Sequence, residues 1–173
     1  MIREIKTLKD PVLRKTAHKI EKVTPELRKL IEDLFETMHA HNGVGLAAPQ
    51  VGISKRLFVV EVEAHPEIPG SGVRYALINP EITQFSPERE VGQEGCLSIP
   101  QQYAEIERPA IVRVKYLDYH GKEAELEASE LLSHCVQHEI DHLNGVLFID
   151  YLSSLKRNMI LKKVDKLKKH EIL

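Results

Sequence analysis

Ser129-Glu130-Leu131-Leu132-Ser133-His134-Cys135-Val136-Gln137-His138-Glu139-Ile140-Asp141-His142-Leu143-Asn144-Gly145 is the segment around which the rest of this chain is organised. Leu131, Leu132, Val136, Ile140 and Leu143 recur at helical spacing, with Ser129 as the capping residue and Asn144-Gly145 as the stop. A helix this apolar is packed inside a domain. His138 and His142 are one turn apart on one face, so both imidazoles can bind a single ion. A surface helix with scattered histidines is the bland alternative, but two unpaired histidines inside a core would be costly. Glu139, beside the first histidine, can reach a water at such an ion and accept its proton.

A catalytic ion with one open position needs a third protein ligand. Cys135 is on the same helix, but it is seven residues from His142, about 10 Å along the axis. The two side chains could bridge that distance only in nearly a straight line through the ion, whereas a tetrahedral site needs bent angles. Cys135 therefore reads as a small apolar residue of a pocket wall. Cys96, in Glu94-Gly95-Cys96-Leu97-Ser98, lies outside the helix and can approach from another direction. A lone thiol is usually an inert core residue, but the incomplete two-histidine site favours Cys96 as a ligand. The predicted set is Cys96, His138 and His142 plus water.

Working outward, Thr24-Pro25 opens a first helix, with Leu27, Leu30, Ile31, Leu34, Phe35 and Met38 as its buried stripe and Asn42-Gly43 as its end. Leu57 to Val62 and a shorter run, Tyr75 to Ile78 ended by Asn79-Pro80, read as strands. Between them, Pro66, Pro69, Gly70 and Gly72 mark an exposed loop. Ile111 to Tyr116 alternates, Asp118 to Gly121 turns, and Glu123 to Glu127 alternates back as a hairpin. A third helical pattern fills much of 153–173. It carries Lys156, Arg157, Lys162, Lys163, Lys166, Lys168 and Lys169, with Leu155, Met159, Val164 and Leu167 on the face left to pack. The expected fold is α+β: antiparallel β-sheets packed around a central metal-binding helix, with a C-terminal helix, in one domain over 1–173.

The 173 residues, 42% apolar and 29% charged with a net charge of −2, suit a globular protein with no general attraction to DNA or anionic membrane. No run approaches the roughly 18 apolar residues of a membrane span. Mixed charges at Met1-Ile2-Arg3-Glu4-Ile5-Lys6 are unlike a secretory signal. The expectation is a cytoplasmic protein whose two thiols stay reduced.

Gly43-Val44-Gly45-Leu46-Ala47-Ala48-Pro49-Gln50 leaves backbone bare for an extended ligand; alone it reads as a small-residue turn after a helix. Together with the Glu-Gly-Cys-x-Ser stretch and the His-Glu-x-x-His helix, it resembles the three signatures of the peptide deformylase family. The resemblance runs from Asp10-Pro11-Val12-Leu13-Arg14 to Phe148-Ile149-Asp150-Tyr151-Leu152. It implies removal of the N-formyl group from the initiator methionine of nascent peptides. It also implies one Fe²⁺ on Cys96, His138 and His142, with Zn²⁺ or Ni²⁺ as substitutes; physics alone would have named zinc. Glu139 would be general base and acid, Gln50 and the N–H of Leu97 would form the oxyanion hole, and Gly45 would pair with the substrate backbone. Val44, Ile99, Leu131 and Cys135 would form the methionine pocket. His134 falls at a position where the family varies. Arg108 would help hold the peptide, a solvated surface arginine being the alternative. The basic C-terminal helix suggests docking on ribosomal RNA, and the chain is expected to be a monomer. A peptidase using the same helix motif is the competing enzyme class, and a non-catalytic metal-stabilised binding module is the other alternative. The peptidase would more often take a downstream histidine or glutamate as third ligand, and only His170 and Glu171, in the charged tail, are offered.

Overall fold

The computed structural model describes residues 1–67 and 72–171. Helix α1, Pro25–Ala40, begins as its capping signals dictate: the Thr24 hydroxyl accepts from Leu27 N at 3.1 Å, and Pro25 occupies the first turn. Its predicted stripe is buried throughout. At its end Asn42 adopts φ 56°, and Gly43 N donates back to Met38 O.

The chain then enters a five-stranded antiparallel sheet. Its strands are β1 (Gly45–Ala47), β2 (Leu57–Val62), β3 (Val73–Phe85), β6 (Ile111–Leu117) and β7 (Glu123–Ser129), paired in the order β1-β2-β3-β6-β7. A separate hairpin pairs β4 (Arg89–Cys96) with β5 (Ile99–Pro109). Helix α2 is Glu130–Leu143 and helix α3 is Ser154–Glu171.

Alternation in β2 shows how the layers form. Leu57 and Val59 face α1 together with Leu30, Leu34 and Ile78. Phe58 and Val60 face the other way, against Val136, Ile140 and Leu143 of α2. Successive side chains on opposite faces of a strand, all apolar, require a layer on each side. The sheet is therefore sandwiched between α1 and α2. The β4–β5 hairpin closes the structure through a third apolar cluster, in which Ile99 and Ile106 meet Leu13, Phe148, Ile160 and Val164.

The expected α+β architecture is observed, and four local readings are corrected. Strand β3 does not stop at Asn79-Pro80. It continues to Phe85 through a register shift against β6, with Asn79 at φ 51° and its side chain bridging Ile20 N and O. A proline is tolerated in a strand where the ladder is already interrupted. Strands β1, β4 and β5 carry no strong strand signal, because Gly45 in β1, Gly92 and Gly95 in β4, and Pro100 and Pro109 in β5 lower their intrinsic propensity. Ser129 occupies the cap position of α2 without a side-chain capping bond. On α3 the packing face is Ile160 and Val164, whereas Leu155 and Met159 are exposed. The predicted loop residues Pro69 and Gly70, and the side chains of Lys168, Lys169, His170 and Glu171, lie outside what is described.

Gly145 closes α2 at φ 74°, and a Cβ there would sit 2.6 Å from Arg14 O. Gly145→Ala should therefore lower unfolding free energy by about 2 kcal/mol or more. Urea unfolding tests this; a loss below about 0.5 kcal/mol would contradict the clash.

Candidate metal centre

Helix α2 is buried along most of its length, and it presents His138, Glu139 and His142 toward the β4–β5 hairpin and β1. Cys96 is the last residue of β4, where the chain turns through Leu97-Ser98 to Ile99. The turn brings its thiol against the helix: Cys96 Sγ is 3.2 Å from His142 Nε2, which is 3.2 Å from His138 Nε2. One ligand atom from each of the three residues lies within 4.8 Å of the others. Cys135 is absent from this cluster, as helix geometry requires. Its thiol is buried, and burial pushes its pKa up to about 12, so it is a neutral wall residue.

The donor set fits a metal ion on electrostatic grounds. His138 Nδ1 donates to Glu94 Oε1 at 3.0 Å, which fixes the ring as the tautomer whose Nε2 carries a bare lone pair. That lone pair meets a second imidazole nitrogen and a sulfur in a buried space. Three converging electron-rich atoms are unfavourable there unless a cation lies among them. A thiolate and two imidazoles suit a borderline-soft divalent transition metal.

Glu94 was not singled out by sequence reasoning beyond its place in the Glu94-Gly95-Cys96 motif, and it proves central. Burial alone would raise its pKa, but hydrogen bonds from Arg108 and His138, with the His134 imidazole close by, hold it well below the usual carboxylate range. Arg108 grips both its oxygens, Nε to Oε2 at 2.6 Å and Nη2 to Oε1 at 2.8 Å. The third nitrogen, Nη1, donates to Asp141 Oδ2 at 3.0 Å, and Tyr151 donates to the same oxygen at 2.7 Å. This corrects the reading of Arg108. It is neither a peptide-holding residue at the cleft nor a solvated one: it is 4% exposed, and its guanidinium is engaged by two carboxylates.

A cleft of about 870 Å³ opens onto the cluster. Val44, Gly45, Gln50, Leu97, Leu131 and Cys135 line it with Cys96, His138 and Glu139. Ile99 does not line it. As the residue that pairs with Cys96 across the hairpin turn, it points into the third apolar cluster instead. His142 lies behind the wall at 1% exposure. Gln50 is buried and locked: its Oε1 accepts from Ala47 N at 2.9 Å, and its Nε2 donates to Ser98 Oγ at 3.1 Å and toward Cys96 Sγ at 3.4 Å. Ser98, completely buried, is a further residue whose orienting role was not anticipated. Glu139 is 4% exposed, and its Oε1 has no hydrogen-bond partner among the described residues. Burial raises its pKa to about 7, near the value at which a carboxylate both takes and returns a proton. A Cβ on Gly45 would sit 2.8 Å from Glu139 Oε2, so only glycine lets β1 approach the carboxylate this closely.

Three convergent donors and a buried carboxylate with one oxygen free of hydrogen bonds among the described residues, all at a cleft, are the constellation of a metal-dependent hydrolase. The profile of the polypeptide deformylase family matches residues 2–158, and the chain belongs to that family. It is 51% identical over 168 residues to a peptide deformylase of Mesorhizobium japonicum, covering 97% of this chain and 94% of the relative. The crystal structure of a peptide deformylase from Ehrlichia chaffeensis superposes with a TM-score of 0.96 at 42% identity, covering 100% of each chain. The class I type b peptide deformylase from Acinetobacter baumannii, crystallised with Met-Ala-Ser bound, gives 0.82 at 36% identity, covering 88% of this chain and 99% of that one. The activity is hydrolysis of the N-formyl amide of nascent peptides, and a peptidase on the same helix motif is not favoured.

Because Glu94 orients His138, Glu94→Gln should weaken divalent metal binding about 10–100-fold. Competition with a chromogenic chelator measures this; unchanged affinity would remove the orienting role.

Proposed function

We propose that one Fe²⁺ is held by Cys96, His138 and His142, with Zn²⁺ or Ni²⁺ able to substitute, and that Glu139 serves as both general base and general acid. The observation that carries this reading is the buried Glu139 carboxylate, whose Oε1 has no hydrogen-bond partner among the described residues, beside the converging Sγ and Nε2 atoms. Iron rests on the family, since the same donors suit zinc. A divalent ion bound there supplies Lewis acidity, making water nucleophilic near neutral pH and polarising the formyl carbonyl. Glu139 takes the proton from the attacking water and returns it to the departing amine as formate leaves. Gln50 Nε2 and the N–H of Leu97 receive the oxyanion of the tetrahedral state. Gln50 is suited to this because its carbonyl oxygen is already held by Ala47 N, which leaves the amide N–H₂ turned toward Cys96.

The substrate peptide joins the outer edge of β1, a terminal strand that pairs only with β2 among the described residues. Val44 and Gly45 supply that edge. Val44, Leu131 and Cys135 are apolar walls for the methionine side chain. The Acinetobacter relative with bound Met-Ala-Ser supports a peptide beginning with methionine as occupant.

The chain works as a single cytoplasmic catalytic domain and as a monomer, and α3 docks on the ribosome. Support for docking is the exposed basic row Lys156, Lys162, Lys163 and Lys166, while Ile160 and Val164 anchor the helix. No helix among the described residues is long and apolar enough to cross a membrane.

Formate release from a formyl-Met-Ala-Ser peptide, with anaerobically Fe²⁺-loaded protein, tests the catalytic assignment. Glu139→Ala should lower kcat by about 10²–10⁴-fold with metal stoichiometry unchanged; substantial turnover in the variant would remove the base role. Replacing Lys162, Lys163 and Lys166 by Glu should abolish salt-sensitive cosedimentation with ribosomes while formate release from the free peptide persists. Unaltered cosedimentation would remove the docking role.

A further inference from the structure

His134 is the one polar side chain of α2 in the cleft wall that the reaction leaves without a task. It lies one turn before His138, between Leu131 and Cys135, and all three line the cleft. The residue is 8% exposed. Its Nδ1 is buried with no hydrogen-bond partner among the described residues and lies 3.6 Å from Glu94 Oε2, an ion-pair distance rather than a hydrogen bond. What holds the ring is Gly92 of β4: a Cβ there would meet His134 Cε1, Nδ1 and Nε2 at 3.0, 3.1 and 3.2 Å. The imidazole is thus seated on bare backbone in the wall of the cleft.

An aliphatic wall of Val44 and Leu131 selects a side chain by length and volume. It separates methionine poorly from norleucine, which is nearly isosteric and has a methylene in place of sulfur. A rigid imidazole differs, because a polarisable thioether gains a favourable contact at a ring edge that a methylene does not. We propose that His134 is a specificity-determining residue that recognises the thioether sulfur of the substrate's methionine, so that this cleft selects sulfur as well as shape. The inference rests on reading the cleft as the formyl-methionine site.

The test compares kcat/KM for formyl-Met-Ala-Ser and formyl-norleucine-Ala-Ser on the metal-loaded enzyme and on His134→Leu. The wild type should favour methionine by about two- to tenfold, the range a single sulfur–ring contact supports, and His134→Leu should bring the ratio close to one. A wild-type ratio of one overturns the proposal whether or not the variant folds, and so does a ratio that is equal in both proteins. His134→Phe, which keeps a ring edge in place, should retain a preference for methionine; its loss there counts against the ring contact. Formate released at equal rates from both peptides defeats the role of His134 alone, whereas no release from either defeats the deformylase reading and this inference with it.

Discussion

Glu94 and Arg108 leave water together, and the geometry of the metal centre depends on that pairing. Both sit on the β4–β5 hairpin, both are almost completely buried, and two hydrogen bonds join them. The carboxylate then reaches His138 on α2, and the guanidinium reaches Asp141 one turn face away. Removing either partner would strand a charge in the interior, a loss of about 3–5 kcal/mol. A buried ion pair contributes little net stability compared with apolar residues of similar shape. Its consequence here is positional: it fixes the hairpin against the catalytic helix and sets the tautomer of His138. Cys96, two residues beyond Glu94, is thereby delivered to the same point.

The apolar layers make that arrangement possible. With α1 on one face of the sheet and α2 on the other, α2 is held by Val136, Ile140 and Leu143 and cannot rotate to hydrate its polar face. Its histidines and Glu139 must therefore find partners within the protein. Glu139 finds none for Oε1 among the described residues, and burial lifts its pKa to about 7. A divalent cation nearby would favour the ionised form again, so the carboxylate's proton affinity responds to what occupies the centre.

Close approach is the second constraint. Gly45 lets β1 lie against Glu139, and Gly92 seats the His134 ring. Both glycines lower the strand propensity of their segments, which is why β1 and β4 were hard to see as strands in the sequence. The features that blur the local signal are those that build the cleft.

By itself, the sequence determined α1, β2, the β6–β7 hairpin and α2, because apolar period and capping chemistry act within a few residues. It also pointed to the Cys96, His138 and His142 cluster that could hold an ion, since His138 and His142 share a helix face and helix geometry excludes Cys135. Only the tertiary structure decided that Ile99 turns into a core cluster, that Arg108 serves Glu94 and Asp141 rather than the peptide, and that Ser98 and Ala47 orient Gln50. Those outcomes depend on contacts between segments distant in the chain, where the partner of a buried charge or the facing of a turn residue is set by packing and leaves no periodic trace.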